Sequence, residues 1–254
     1  MDTETLLLCF ALFFIAALYA SVGHGGASGY LALLSLSTFA SMNSAWLKQH
    51  AWVLNLVVAS LAFYHFQKAG FHRPKLSFIF IIASLPAAFF GGTLNVEGAL
   101  YDTLLSLALL YAAFRLAQTS KDEHSTPSTS LPPLQTTVPI GASIGLLSGM
   151  IGVGGGIFLS PILVLKQWAT PKAAAATAAL FIWVNSAAGL LGAQLSGQLD
   201  LTLSPLASFI LAVGCGGYIG SKFGAEKAPQ TTIRWILIAV LLLATTKRAI
   251  DVLA

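Results

Sequence analysis

The sequence predicts an all-α polytopic membrane protein made of two inverted repeats, each a glycine-broken helical hairpin followed by three transmembrane helices. Three observations predict it. The chain is 56% hydrophobic and only 9% charged, whereas a soluble domain carries roughly 25% charged residues, so lipid must be the solvent. Apolar runs fall at 5–37, 43–66, 75–96, 98–118, 136–166, 171–195, 201–221 and 229–251, most of them reaching the ~20 residues that cross a bilayer core. Two runs carry breaks that look like copies of each other, Gly23-His24-Gly25-Gly26-Ala27 and Gly152-Val153-Gly154-Gly155-Gly156. Paired interruptions of this kind point to a binding site of irregular backbone at membrane depth.

The first run carries Asp2 and Glu4 ahead of it, where a cleavable signal would be basic, and no cleavage site follows. Met1 onward is therefore expected in the mature protein. As one helix, residues 5–37 would be about 50 Å long, too long for a ~30 Å core without steep tilt. An arm, a glycine tip and a shorter return arm fit better, and residues 136–166 read the same way.

Loop charges test this reading. Lys68, Arg73 and Lys75 follow the second run, Glu97 the third, Arg115 and Lys121 the fourth, Lys166 and Lys172 the fifth, Asp200 the sixth, Lys222 and Lys227 the seventh. If all eight runs cross once, the basic loops of the second half fall outside, against the positive-inside rule. If the glycine-broken runs turn back, these loops put Lys/Arg inside and Glu97 and Asp200 outside, and Lys247 and Arg248 alone disagree. Each half then holds three crossings, an odd number, which inverts the second half relative to the first. A broken but spanning first helix is the rival and changes only the side of the N-terminus.

The segment 119–135, rich in Ser, Thr and Pro with Lys121, Asp122, Glu123 and His124, cannot pack a core and reads as a polar cytoplasmic linker. It divides the chain into repeats at 1–118 and 136–254. Sliding one half over the other by about 129 residues superposes the glycine breaks and brings Asn55 beside Asn185 and Gly91 onto Gly220, as internal duplication would. Cys9 and Cys215 both sit in apolar runs and read as buried thiols. The net charge of +4 is that of basic cytoplasmic loops and points to no nucleic acid.

The glycine tips carry the chemistry. Glycine lets a ligand approach the backbone, and the helix restarting after each tip presents unpaired N–H groups and a positive dipole end, a favourable place for an anion. Gly23, His24, Gly25 and Gly26 of the first tip, and Gly152, Gly154, Gly155 and Gly156 of the second, are therefore candidate substrate contacts; close helix packing is the competing role. Asn55 and Asn185 lie near the middle of the next helix of each half, as ligand donors or as clamps on the tips. Lys48 is a candidate positive wall of an anion vestibule or a side chain snorkelling beside Trp46, and Thr177 is its counterpart. No metal site and no cofactor motif stands out.

The stretch Gly149-Met150-Ile151-Gly152-Val153-Gly154-Gly155-Gly156-Ile157-Phe158-Leu159-Ser160-Pro161 resembles the signature of the sulfite exporter TauE/SafE family, the TSUP permeases. The likeness extends over most of the chain and includes Ala176-Thr177 and Asn185; the first half departs from it at Ala27, Ala32 and Lys48. The resemblance implies a multi-helical, duplicated transporter of sulfite, thiosulfate, sulfonates or related organic anions in the bacterial plasma membrane. The expected function is thus a secondary transporter of small sulfur-containing or organic anions, not an enzyme, working by alternating access with substrate between the two tips. A small anion and the lipid bilayer are its partners, with a coupling proton or sodium ion left open. Gly26-Ala27-Ser28-Gly29 also resembles the nucleophile motif of rhomboid intramembrane proteases, which would require a histidine base such as His50 or His65 against Ser28. A non-transporting membrane scaffold is the third reading.

Overall fold

The computed structural model describes residues 3–118 and 131–227, with the isolated positions Leu242 and Thr246. The eighth run apart from those two positions, most of the linker, and Lys247 and Arg248 lie outside the described residues. The described chain is helical throughout: α1 (Thr3–Ser21), α2 (Ala27–Ser35), a 3-10 turn (Thr38–Ser41), α3 (Ser44–Lys68), α4 (Pro74–Thr93), α5 (Gly98–Gln118), α6 (Leu134–Ile151), α7 (Gly156–Leu165), α8 (Pro171–Leu195) and α9 (Leu203–Glu226). Leu134 and Gln135, assigned to the linker from sequence, already belong to α6. Among the described residues five helices, α1, α4, α6, α8 and α9, are long and apolar enough to cross a membrane. The chain is a multi-pass membrane protein.

Local chemistry sets the helix starts. Asn43 accepts the Trp46 N–H at 2.7 Å ahead of α3, and Thr170 accepts the Ala173 N–H at 3.2 Å ahead of α8, satisfying donors that a helix start leaves free. Pro74 and Pro171 open α4 and α8, where a missing N–H costs nothing. The breaks after α1 and α6 run through left-handed backbone at Gly23, Gly26, Gly152, Gly154 and Gly155, with φ of +76°, +100°, +87°, +78° and +83°. An L side chain would cost about 1–2 kcal/mol at each such residue.

Both broken segments return towards the end where they began. Leu33 of α2 and Thr38 of the turn that follows share one cavity wall with Glu4 and Leu7 at the start of α1. Beyond α7, Trp168 packs on Phe80, in a cluster that also holds Ile140 near the start of α6. Each hairpin is clasped by a helix of the other half. Gly216, Gly220 and Gly224 of α9 lie on the carbonyls of Phe13, Ala17 and Ser21 of α1, and Gly141, Gly145 and Gly149 of α6 lie on those of Phe80, Ser84 and Ala88 of α4. Glycine at every fourth position lets the backbones touch, which is how helices pack where lipid offers no hydrophobic drive.

These registers give each helix a direction. α1 runs parallel to α9 and α6 to α4. α3 and α8 cross antiparallel at the centre, with Asn55 bonded to Ser186 and Gln49 to the Gln198 carbonyl. α9 is parallel to α3, since Trp46 meets Thr202 and His65 meets Ser221. α4 is parallel to α8, since Ser77 meets Thr177 and Gly92 lies on Gly189. Hence α1, α3 and α9 point one way and α4, α6 and α8 the other. Among the described residues, Glu4, Glu97, Asp102 and Asp200 gather at the end where α3 starts, together with Lys48. Lys68, Arg73, Lys75, Lys166, Lys172, Lys222 and Lys227 gather at the opposite end, together with Glu226. The first is called the acidic end and the second the basic end.

Cys9 is buried as expected, but Cys215 is exposed. The outer surface of a bundle in lipid is itself apolar, so an apolar run does not place a residue in the protein core.

Candidate functional site: two glycine tips on one asparagine

The two tips meet. A Cβ on Gly25 would overlap Asn55 Oδ1 and lie 3.0 Å from Ile182 Cγ2, and a Cβ on Gly154 would lie 2.5 Å from Asn55 Nδ2 and 3.0 Å from the same Ile182 atom. Asn55 and Ile182 sit midway along α3 and α8, so irregular backbone from both halves converges at the centre of the bundle. The tip glycines are buried there, which meets the condition under which such backbone survives at membrane depth. Gly23 packs on Ala175 near the start of α8, and Gly152 packs on Lys48 near the start of α3. The His24 ring bonds the Val22 carbonyl at 3.0 Å and faces the Gly156 backbone of the opposite tip.

The two asparagines differ. Asn55 Oδ1 accepts the N–H of Ala27, the first residue of α2, at 3.0 Å, and its Nδ2 donates to Ser186 Oγ at 3.2 Å. Asn185 is equally buried, yet neither its Nδ2 nor its Oδ1 has a partner. Its Nδ2 lies 3.5 Å from where a Gly155 Cβ would stand.

The sequence of a chain folded this way matches the sulfite exporter TauE/SafE family over residues 8–248. The chain belongs to that family. It is 35% identical to a probable membrane transporter protein, y4hK, of Sinorhizobium fredii over 249 residues, 97% of this chain and 99% of the relative. It is 25% identical to a second probable membrane transporter protein, YdhB, of Bacillus subtilis over 235 residues, 86% of this chain and 89% of the relative. No solved structure matches it.

In this TauE/SafE member Lys48 is wholly buried and does not snorkel: its Nζ donates to the Leu94 carbonyl at 2.9 Å and stands 5.8 Å from the Trp52 ring centroid. It belongs to a latch at the acidic end. Gln49 donates to the Gln198 carbonyl at 2.6 Å and accepts the Asp200 N–H at 2.7 Å, while Trp46 Nε1 donates to Thr202 at 3.0 Å. Thr177 stands at the α4–α8 contact, its Oγ1 3.5 Å from Ser77 Oγ, between Ala175 and Ala178, which pack on Gly23 and Gly156. Ser77 in turn bonds His72 at 3.1 Å, an imidazole that burial pushes below its usual pKa.

Ser28 shares a 2.8 Å hydrogen bond with Tyr19. His50 bonds the Trp46 carbonyl and the Thr202 N–H, and His65 bonds the Leu61 carbonyl and Ser221. Neither histidine is bonded to Ser28, so the serine–base pair of a protease is not formed among the described residues. Sequence reasoning missed Ile182 and Trp52, both central here. Each reads as ordinary packing in an apolar helix; the sole signal for Trp52 is its spacing, since Lys48, Trp52 and Asn55 fall on one helical stripe.

Proposed function

We propose that the chain is a secondary transporter of small sulfur-containing or organic anions, the sulfite, thiosulfate and sulfonate class, in the bacterial plasma membrane. The two halves, 1–118 and 136–254, act as inverted repeats, and the opposed directions of α1 and α6, α3 and α8, and α4 and α9 support this. The single observation that carries the reading is the meeting of both glycine tips on Asn55 and Ile182 beside the unpaired Asn185 amide. Backbone donors, a buried amide and two helix N-termini at one point make a site for an anion rather than a cation. The gathered lysines and arginines put the basic end on the cytoplasmic side.

The latch from α3 to the α8–α9 loop closes the acidic end, and alternating access requires it to part when that face opens. The described acidic side chains all lie at the two ends, so among the described residues a coupling proton would use His24 and a coupling sodium ion would use carbonyl, amide or hydroxyl oxygens. Counterflow of labelled sulfite, thiosulfate and sulfonates in proteoliposomes tests the function. Gly154→Leu should abolish that flux while leaving folded protein, and uptake equal to wild type would refute a site at the tips.

A further inference from the structure

We infer that the side-chain contacts to the anion come from one side only: Trp52, Ser148 and Asn185, on the helices packed on the second tip, form its binding half, and the first tip offers it backbone and a helix N-terminus alone. This rests on the transport reading above and assigns two residues, Trp52 and Ser148, that it does not use.

Around the first tip the side-chain polar atoms are spoken for. Tyr30 donates to the Gly25 carbonyl at 2.6 Å, Tyr19 and Ser28 bond each other, Asn55 holds the Ala27 N–H, and His24 holds the Val22 carbonyl. The second side is the reverse. Among the described residues, three wholly buried side chains keep polar atoms without a partner, Trp52 Nε1, Ser148 Oγ and both ends of the Asn185 amide. Folded chains pair the great majority of such atoms, so each one left over calls for an explanation.

All three sit on the helices that pack on the second tip, α3 through Asn55, α6 through Ile144 and α8 through Asn185. Asn185 borders Gly155. The six-membered ring of Trp52 lies against Gly189, one turn along α8 from Asn185, with Cζ2 2.7 Å and Cε2, the carbon that carries Nε1, 2.9 Å from the Gly189 Cβ position. Ser148 is on the same stripe of α6 as Ile144, whose Cγ2 is 2.7 Å from the Gly155 Cβ position, and is one turn nearer the break. The set is rich in donors. An indole N–H can only donate, the Asn185 NH₂ offers two hydrogens and Ser148 a third kind of donor. The Lys48 ammonium over the Trp52 ring supplies positive charge at the same wall. Such a set suits a deprotonated oxyanion with several equivalent oxygens.

Binding of ³⁵S-labelled sulfite and thiosulfate to the purified full-length chain tests this, with the melting midpoint read in parallel. Trp52→Phe and Ser148→Ala each remove a donor and should each weaken binding about tenfold, as loss of a hydrogen bond to a charged group does; Ser148→Ala keeps the packing and leaves the midpoint in place, whereas Trp52→Phe also trims a buried ring and lowers it. Tyr30→Phe should lower the midpoint and leave affinity within about twofold, since its bond is internal to the first tip. Wild-type affinity in both Trp52→Phe and Ser148→Ala, or a loss in Tyr30→Phe as large as theirs, would overturn the one-sided site while leaving the transport reading in place. Binding of neither anion, nor of a labelled sulfonate, by the wild type would overturn both.

Discussion

Gly25→Ala adds one methyl group at the point where the tips meet. Gly25 does not carry a positive φ, so the new side chain suffers no left-handed penalty. The cost is spatial: the Cβ would overlap Asn55 Oδ1 and lie 2.9 Å from Asn55 Cγ and 3.0 Å from Ile182 Cγ2. Forcing a methyl into a packed site costs about 1–3 kcal/mol. Displacing Asn55 also breaks the cap on Ala27, worth about 1–2 kcal/mol. The total is about 2–5 kcal/mol. Gly70→Ala is the contrast, because Gly70 has φ +82° but nothing within 4 Å of its Cβ position, so only the backbone term of about 1–2 kcal/mol remains. The assay is unfolding of the purified protein in a graded detergent titration, run for Gly25→Ala, Asn55→Ala and the double variant. Asn55→Ala alone should cost about 1–3 kcal/mol, the price of leaving the Ala27 N–H unpaired. With the amide gone, the Gly25 methyl has room, so the two changes should couple by about 1 kcal/mol or more. Strict additivity would refute the claim that Gly25 is glycine in order to admit Asn55.

Asn185→Ala should leave the unfolding midpoint unchanged or raise it, because it removes a buried amide that has no internal partner, while weakening anion binding; a midpoint drop as large as that of Asn55→Ala would contradict the division between clamp and ligand contact. Gln49→Ala cuts two bonds to the α8–α9 loop and should open the acidic end, read as faster labelling by an impermeant maleimide of Val153→Cys in a Cys9→Ala, Cys215→Ser background. Unchanged labelling would show that the latch does not govern access. A fluorophosphonate probe should fail to label Ser28, which is bonded to a tyrosine and to no histidine; labelling lost in Ser28→Ala would restore the protease.

The legible part of this protein lay in features whose cause is local. Lipid as solvent follows from the shortage of charge, and the hairpins follow from overlong apolar runs broken by glycine. The two-ended charge pattern follows from loop residues read in order. Each of these needs only the chain's own backbone preferences or its contact with solvent, so the residues report it directly. The glycine stripes on α6 and α9 were visible as spacing, but nothing in the spacing names α4 and α1 as the helices they touch.

What only the tertiary structure decided was which polar atoms found partners. Asn55 and Asn185 occupy matching positions and look alike in sequence, yet one is bonded at both ends, to the chain 28 residues before it and 131 after it, and the other is bonded at neither. Lys48 could have snorkelled; instead a carbonyl 46 residues away takes its proton donor. Trp52 was indistinguishable from packing until its nitrogen stood without an acceptor. Hydrogen-bond pairing depends on distances between segments remote in sequence, and those distances exist only once the helices cross. The chain by itself announced two glycine tips at membrane depth; the fold decided that they share one asparagine and leave the other free.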